Sequence, residues 1–160
     1  MSLAQFAEKW GSASYPPAPV SEAELEVIEA RFGVRLPTDY RAAVLQIGLP
    51  QPQIALLDAI VEHQMELDAI GDFYSPEEIV EYTLDWRDIG MPEQLIAFAS
   101  DGCCNQFCFD TRDLTIDSAD ACSIWFFDHD FGTANEIAPS FHAWIEALCA
   151  VEPLLKTDLG

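Results

Sequence analysis

Residues 94–110, Gln-Leu-Ile-Ala-Phe-Ala-Ser-Asp-Gly-Cys-Cys-Asn-Gln-Phe-Cys-Phe-Asp, decide the fold class of this chain. Two apolar runs, 94–99 and 106–110, lie on either side of the turn-forming pair Asp101-Gly102, and both are typical of strands. A third run of the same kind spans 123–127. The spacing predicts an antiparallel meander in which each strand pairs with the next.

Capping residues mark where helices begin. Ser21 and Glu24 stand at the spacing of a capping box, and Gly33 can end that helix because glycine adopts left-handed backbone angles. Ser75 begins a second such helix, which we expect to run to about Arg87. Helices are predicted after Ser2, Ser21, Pro37, Ser75 and Ser140. The order of elements predicts an α+β domain, with an antiparallel sheet of about four to six strands and helices packed on one face.

Residues 49–71 carry a mixed signal. Their apolar residues fit a strand or a helix, but Met65, Leu67 and Ala69 alternate with acidic residues, so we predict a strand there. Prolines at 16, 17 and 19 predict an extended linker after a short first helix. We expect three parts: an N-terminal helix with its linker at 1–19, the main domain at 20–152, and a C-terminal tail at 153–160.

The charge of the chain excludes several classes of partner. Asp and Glu number 28 against 7 Lys and Arg, which gives a net charge of -21. Nucleic acids and anionic membranes are bound by clustered basic residues, which this chain lacks. Aromatic residues make up 11% of the chain, more than an acidic disordered protein carries. We therefore expect a folded acidic domain that binds neither nucleic acid nor membrane.

Apolar runs and cysteine usage favour the cytoplasm. No apolar run approaches the roughly 18 residues that span a bilayer, and the first residues lack the pattern of a secretion signal. The chain has 5 cysteines, an odd number that includes the adjacent Cys103 and Cys104, which is a poor framework for disulfides. The spacing of these two and Cys108 does not match a structural zinc site, so we expect all three to be buried.

The turn after the third strand holds the candidate chemistry. Asp128, His129 and Asp130 could offer an imidazole and two carboxylates to a divalent metal, with Asp101 and Asp110 approaching from neighbouring strand ends. The alternative is a polar turn in which aspartates cap backbone amides and His129 faces solvent. The other histidines have no nucleophile in a recognisable arrangement, so no catalytic residue is assigned.

An ordered set of motifs resembles a known family, SMI1/KNR4 (SUKH), over about residues 20–149. The motifs are Ser21-Glu22-Ala23-Glu24-Leu25, Phe32-Gly33-Val34, Leu36-Pro37-Thr38-Asp39-Tyr40, Ile47-Gly48, Asp72-Phe73-Tyr74-Ser75-Pro76-Glu77-Glu78-Ile79, Ile96-Ala97-Phe98-Ala99-Ser100-Asp101-Gly102 and Phe141-His142-Ala143-Trp144-Ile145. One departure lies at Cys103-Cys104-Asn105, where relatives commonly carry small glycine-rich and acidic residues.

The resemblance implies a protein-binding module with no enzymatic activity and no cofactor. Bacterial members of the family are similar to immunity proteins, which neutralise polymorphic toxins, and fungal members resemble regulatory hub proteins in cell-wall signalling. Many toxin domains that attack nucleic acid are basic, and a strongly acidic partner would be steered to them. The residues expected to bind such a partner are Asp101, Asn105, Asp128, His129 and Asp130.

Three functions follow as alternatives from these observations. The first is an immunity protein that neutralises a basic, nuclease-type toxin by direct binding. The second is a general intracellular regulatory interaction module. The third is a metal-dependent hydrolase that uses Asp128, His129 and Asp130 and requires one equivalent of metal. The alternative explanation of the negative charge is that it merely keeps an abundant cytosolic protein in solution.

Overall fold

The strands form a single antiparallel meander. The computed structural model describes residues 2–114 and 122–155. Its strands are β1 (Asp72–Phe73), β2 (Leu95–Ser100), β3 (Gln106–Asp110), β4 (Ile124–Asp128) and β5 (Thr133–Ala138). Over the described residues the sheet has five strands in the order β1-β2-β3-β4-β5, and every neighbouring pair is antiparallel. The α+β class and the meander are confirmed.

Five of the six described helices begin where the sequence predicts, and the fourth is the exception. They are α1 (Leu3–Trp10), α2 (Glu22–Phe32), α3 (Thr38–Ile47), α4 (Ile54–Glu62), α5 (Pro76–Asp88) and α6 (Phe141–Cys149). Ser2, Ser21 and Ser75 each form a complete capping box, and the side chain of Ser140 caps α6. Gly33 ends α2 with a φ of 66°. Within the described ranges, no helix is long and apolar enough to cross a membrane.

One face of the sheet is covered by α3 and α6. Phe107 and Phe109 project to this face from alternate positions of β3. The ring of Trp144 on α6 lies 4.9 Å from Phe107, and the ring of Tyr40 on α3 lies 5.1 Å from Phe109. These four rings are buried, so this layer is the aromatic centre of the core.

The opposite face is covered by α5, so the helices lie on both faces of the sheet and not on one as expected. Phe127, which pairs with Gln106 in the register, meets the ring of Trp86 on α5 at 6.2 Å. The fully buried Thr83 accepts a hydrogen bond from the Ala97 amide at 3.0 Å, beside the register shift between β2 and β3. This bond satisfies a buried amide at the bulge.

The strand predicted within 49–71 is wrong. Residues 54–62 form α4, and Met65, Leu67 and Ala69 lie in the loop between α4 and β1. Leu56, Ala59 and Ile60 face the core from α4 at helical spacing, but further apolar residues on its exposed side hide that period in the sequence. Two strands were not predicted: β1 has only two residues, and β5 is an exposed edge strand with little apolar patterning.

The N-terminal segment shares the core of the sheet domain. Leu3, Phe6 and Trp10 of α1 are buried, and the Trp10 indole donates a hydrogen bond to the Leu148 carbonyl at 3.1 Å. The proline-rich segment after α1 makes antiparallel bridges from Gly11 and Ala18 to residues 49–52. Part of the predicted C-terminal tail, residues 156–160, lies outside the described residues.

Substitution of Tyr40 tests the aromatic layer. Tyr40→Ala should lower the free energy of unfolding by roughly 3–5 kcal/mol, because its ring is fully enclosed by Phe98, Phe109 and Phe141. Phe32→Ala should lower the free energy of unfolding by only about 1–2 kcal/mol, because the Phe32 ring is only half-buried. The Arg87 guanidinium lies over this ring. Urea unfolding followed by circular dichroism measures both values. Equal losses in the two variants would contradict this assignment.

Candidate functional site

The two hairpin turns, β2–β3 and β4–β5, lie side by side at one end of the sheet. β2 ends at Ser100 and β3 begins at Gln106, while β4 ends at Asp128. Gln106 pairs with Phe127, so the start of β3 lies beside the end of β4. The meander therefore brings together all five residues predicted to bind a partner. We call them the turn cluster: Asp101, Asn105, Asp128, His129 and Asp130.

Asp101 organises the first turn. Its Oδ1 atom accepts hydrogen bonds from the amides of Cys103 at 2.7 Å and Asn105 at 3.1 Å. Its Oδ2 atom accepts from Nδ2 of Asn105 at 2.9 Å. This arrangement holds the Asn105 carboxamide in one orientation, with Oδ1 turned toward the second hairpin.

Asn105 joins the two turns. Its Oδ1 atom accepts from the His129 amide at 3.1 Å and lies 2.7 Å from His129 Nδ1. Because Nδ2 of Asn105 is used by Asp101, Nδ1 of His129 must carry a hydrogen in this contact. The imidazole also packs against Trp86 with ring centroids 5.8 Å apart, and Nε2 lies 3.3 Å from Asp130 Oδ1. The turn cluster is thus held by side-chain bonds and by packing on α5.

Asp128 shapes the second turn in the way that the polar-turn alternative predicts. Its Oδ1 atom accepts from the amides of Asp130 at 2.9 Å and Phe131 at 3.3 Å. One potential ligand atom from each of Asp128, His129 and Asp130 lies within 4.8 Å of the others, so these three side chains could together hold a divalent cation. However, Asp128 Oδ1 and His129 Nδ1 are already engaged within the turns, which accounts for the arrangement structurally.

Three of the five side chains in the turn cluster are acidic. In the part of the chain that the structure describes, no Lys or Arg forms an ion pair with Asp101, Asp128 or Asp130. Asp68 lies close enough to share this field: desolvation raises the pKa of its carboxyl, and the charges of Asp101 and Asp128 raise it further. The end of the sheet is therefore a concentrated negative surface.

Sequence reasoning missed two residues of this surface. Phe131 follows the acidic residues of the second turn and its side chain is 80% exposed. A phenylalanine in a run of turn-forming residues was the available signal, since a large apolar side chain has no use at the tip of a solvated turn. Asp68 belongs to the loop after α4 and carries no local signal, because only the fold brings it near the hairpin turns.

The cysteines divide into two classes. Cys103 and Cys104 are exposed in the β2–β3 turn, so the expectation that both are buried is wrong, whereas Cys108 is buried in β3 as expected. All the cysteines are free thiols. Burial raises the pKa of the Cys108, Cys122 and Cys149 thiols. Cys104 has a positive φ of 74°, a backbone conformation that suits glycine.

Comparison with known proteins gives the family. A family model described as SMI1 / KNR4 family (SUKH-1) matches residues 19–147. The chain belongs to the SMI1/KNR4 family. A search of curated proteins found no match. In this SMI1/KNR4 domain the matched range contains the whole sheet and the complete turn cluster, while α1 precedes it.

Asn105→Ala tests the link between the turns. The substitution should lower the free energy of unfolding by about 1–2 kcal/mol, because it leaves the His129 amide and the Asp101 carboxylate each short of a hydrogen-bond partner. Hydrogen exchange at the His129 amide should accelerate. Asn135→Ala, at an exposed position of β5, is the matched control and should change stability by less than about 0.5 kcal/mol. Unchanged protection of the His129 amide would contradict the bridging role.

Proposed function

We propose that this protein is a non-enzymatic binding module of the immunity type, which neutralises a basic, nuclease-type toxin domain in the cytoplasm by covering its functional surface. The observation that carries the proposal is the turn cluster: an acidic surface held by side-chain hydrogen bonds, without a Lys or Arg ion pair among the described residues, and with an exposed aromatic ring at its tip. Membership of the SMI1/KNR4 family supports a binding role.

The chemistry of the surface fits a partner that binds phosphates. Such a partner presents clustered Lys and Arg, and carboxylates that project from fixed turns can occupy the same positions as phosphate groups. The net charge of -21 adds long-range attraction, which speeds encounter. Because Asp101 and Asn105 already hold the turns in place, little conformational entropy is lost on binding.

The first experiment is affinity capture of the tagged protein from its native cell extract at low and at high salt, with identification of the retained proteins by mass spectrometry. One stoichiometric basic partner with a toxin-like domain supports the proposal. Several weak and salt-sensitive partners support instead a general regulatory interaction module.

The captured partner allows a test of the acidic surface. A double variant, Asp130→Lys with Asp128→Asn, should slow association about tenfold or more at low salt, and the difference should shrink as salt rises. Asparagine at 128 keeps the side-chain oxygen that accepts the turn amides, so the turn is preserved. Stopped-flow fluorescence measures the rates.

A matched control separates local from overall charge. Glu8→Lys with Glu26→Gln alters the net charge by the same amount at exposed positions of α1 and α2. This control should slow association much less than the turn variant. Equal slowing by both variants would show that only the overall charge steers the partner, and that the turn cluster lies outside the interface.

Phe131 should act on the lifetime of the complex. Phe131→Ala should raise the dissociation rate about tenfold or more with little effect on association, because a desolvated aromatic side chain at an interface is worth about 2 kcal/mol. Tyr15→Ala is the control, since Tyr15 is another exposed aromatic residue at 62% exposure. Surface plasmon resonance measures both rates. An unchanged dissociation rate in Phe131→Ala would remove this residue from the interface.

A further inference from the structure

The outer side of α4 presents an apolar surface to solvent. Ile54, Leu57 and Val61 are exposed by 74%, 44% and 65%, and Met65 just beyond the helix by 39%. The spacing of three and four residues places Ile54, Leu57 and Val61 on one side of α4, away from the core-facing Leu56, Ala59 and Ile60. We call Ile54, Leu57, Val61 and Met65 the α4 ridge. A contiguous apolar surface of this kind marks an interaction site.

A cavity connects the α4 ridge to the turn cluster. It has a volume of about 310 Å³ and is lined by Ile54 and Leu57 on one side and by Asp101 and Cys103 on the other. Its floor is apolar and includes Ala69 and Ile70. Asp101 therefore belongs both to the turn cluster and to the wall of this cavity, so one partner can contact both surfaces.

The wall of the cavity is fixed by a close approach of two loops. The Gly71 amide donates to the Ser100 carbonyl at 2.8 Å, and a Cβ atom at Gly71 would lie 2.9 Å from the Asp101 carbonyl carbon. Only glycine permits this approach without a shift of the β2–β3 turn. The wall of the cavity on the side of the β2–β3 turn is thus set by the backbone.

The acidic residues around the α4 ridge indicate which kind of partner fits it. Asp58, Glu62 and Glu66 are exposed on or just after α4, and Asp68 and Asp101 follow at the cavity end. None of these acids forms an ion pair with Lys or Arg among the described residues. A second copy of this chain would bring the same acids against each other, which repels. A partner with basic residues around an apolar side chain complements the surface.

We propose that the cavity between α4 and the β2–β3 turn is an anchoring site for an aliphatic or aromatic side chain from a cationic segment of a partner protein, with the α4 ridge extending the contact. The proposal rests on the proposed function in taking the partner to be basic. It assigns apolar contact to this site, whereas the turn cluster supplies mainly charge.

Two synthetic peptides of equal charge test the anchor on the intact protein. One carries leucine and lysine at helical spacing, and the other has serine in place of every leucine. The leucine peptide should bind saturably and shift amide NMR signals of α4, of residues 69–71 and of residues 101–103. The affinity of the serine peptide should be lower by a factor of about ten or more. Equal affinity of the two peptides would overturn the proposal, because charge alone would then account for binding.

A matched pair of variants locates the contact. Ile54→Ser should weaken binding of the leucine peptide about tenfold. Ile89→Ser removes an isoleucine of nearly equal exposure, 72%, just after α5, and should leave the affinity unchanged. An equal effect of the two variants, or NMR shifts confined to another surface, would overturn the proposal. The proposal would also be overturned if the free protein sedimented as a dimer and Ile54→Ser sedimented as a monomer. The α4 ridge would then be a self-association surface.

These outcomes separate the anchor from the proposed function. If both peptides bind only at the turn cluster, the anchor is lost and the acidic immunity surface stands. A second outcome is that the leucine peptide binds at the α4 ridge, but the Asp130→Lys, Asp128→Asn variant associates with the captured partner as fast as its control does. This outcome would contradict the turn interface and support the anchoring site.

Discussion

The stacked rings of Phe98 and Phe109, with centroids 4.1 Å apart, are the contact on which the rest of the structure depends. They join β2 to β3, and Tyr40 of α3 meets both rings edge-on, so a helix from the first half of the chain is attached to strands from the second. The chain has to hold a net charge of -21 in one compact body. Dense aromatic burial offsets that self-repulsion, and every residue of β2 and β3 is buried.

Helices cover both faces of the sheet. Polar side chains therefore reach solvent at the end of the sheet that carries the β2–β3 and β4–β5 turns. The two hairpin turns at that end carry the acidic residues of the turn cluster. The hydrogen bonds between Asn105 and His129 join the two turns into one surface. Loops on a rigid scaffold are common sites of recognition, since their geometry can be set before a partner arrives. Here the scaffold includes α5, because the ring of Trp86 packs against His129.

Much of the fold is predictable from local chemistry, and the exceptions are informative. Ser21 and Ser75 mark their helices because a capping box is satisfied within four residues. The meander also predicts that the turns of alternate hairpins meet at one end. The bond between Asn105 and His129 is not predictable, because it joins residues 24 positions apart through side-chain orientation that only the register sets. Exposure of Phe131, by contrast, has a local signal, because the residue stands in a run of turn-forming residues.

The failure at α4 has a physical cause that bears on function. A core helix shows a clear period when its outer side is polar, yet α4 carries Ile54, Leu57 and Val61 on that side in addition to its inward apolar residues. Folding does not require these outward residues, and they expose apolar surface in a protein whose remaining surface is strongly acidic. In the proposed complex, charge at the turn cluster would set how fast a partner arrives, and apolar contacts of Phe131 and the α4 ridge would set how long it stays.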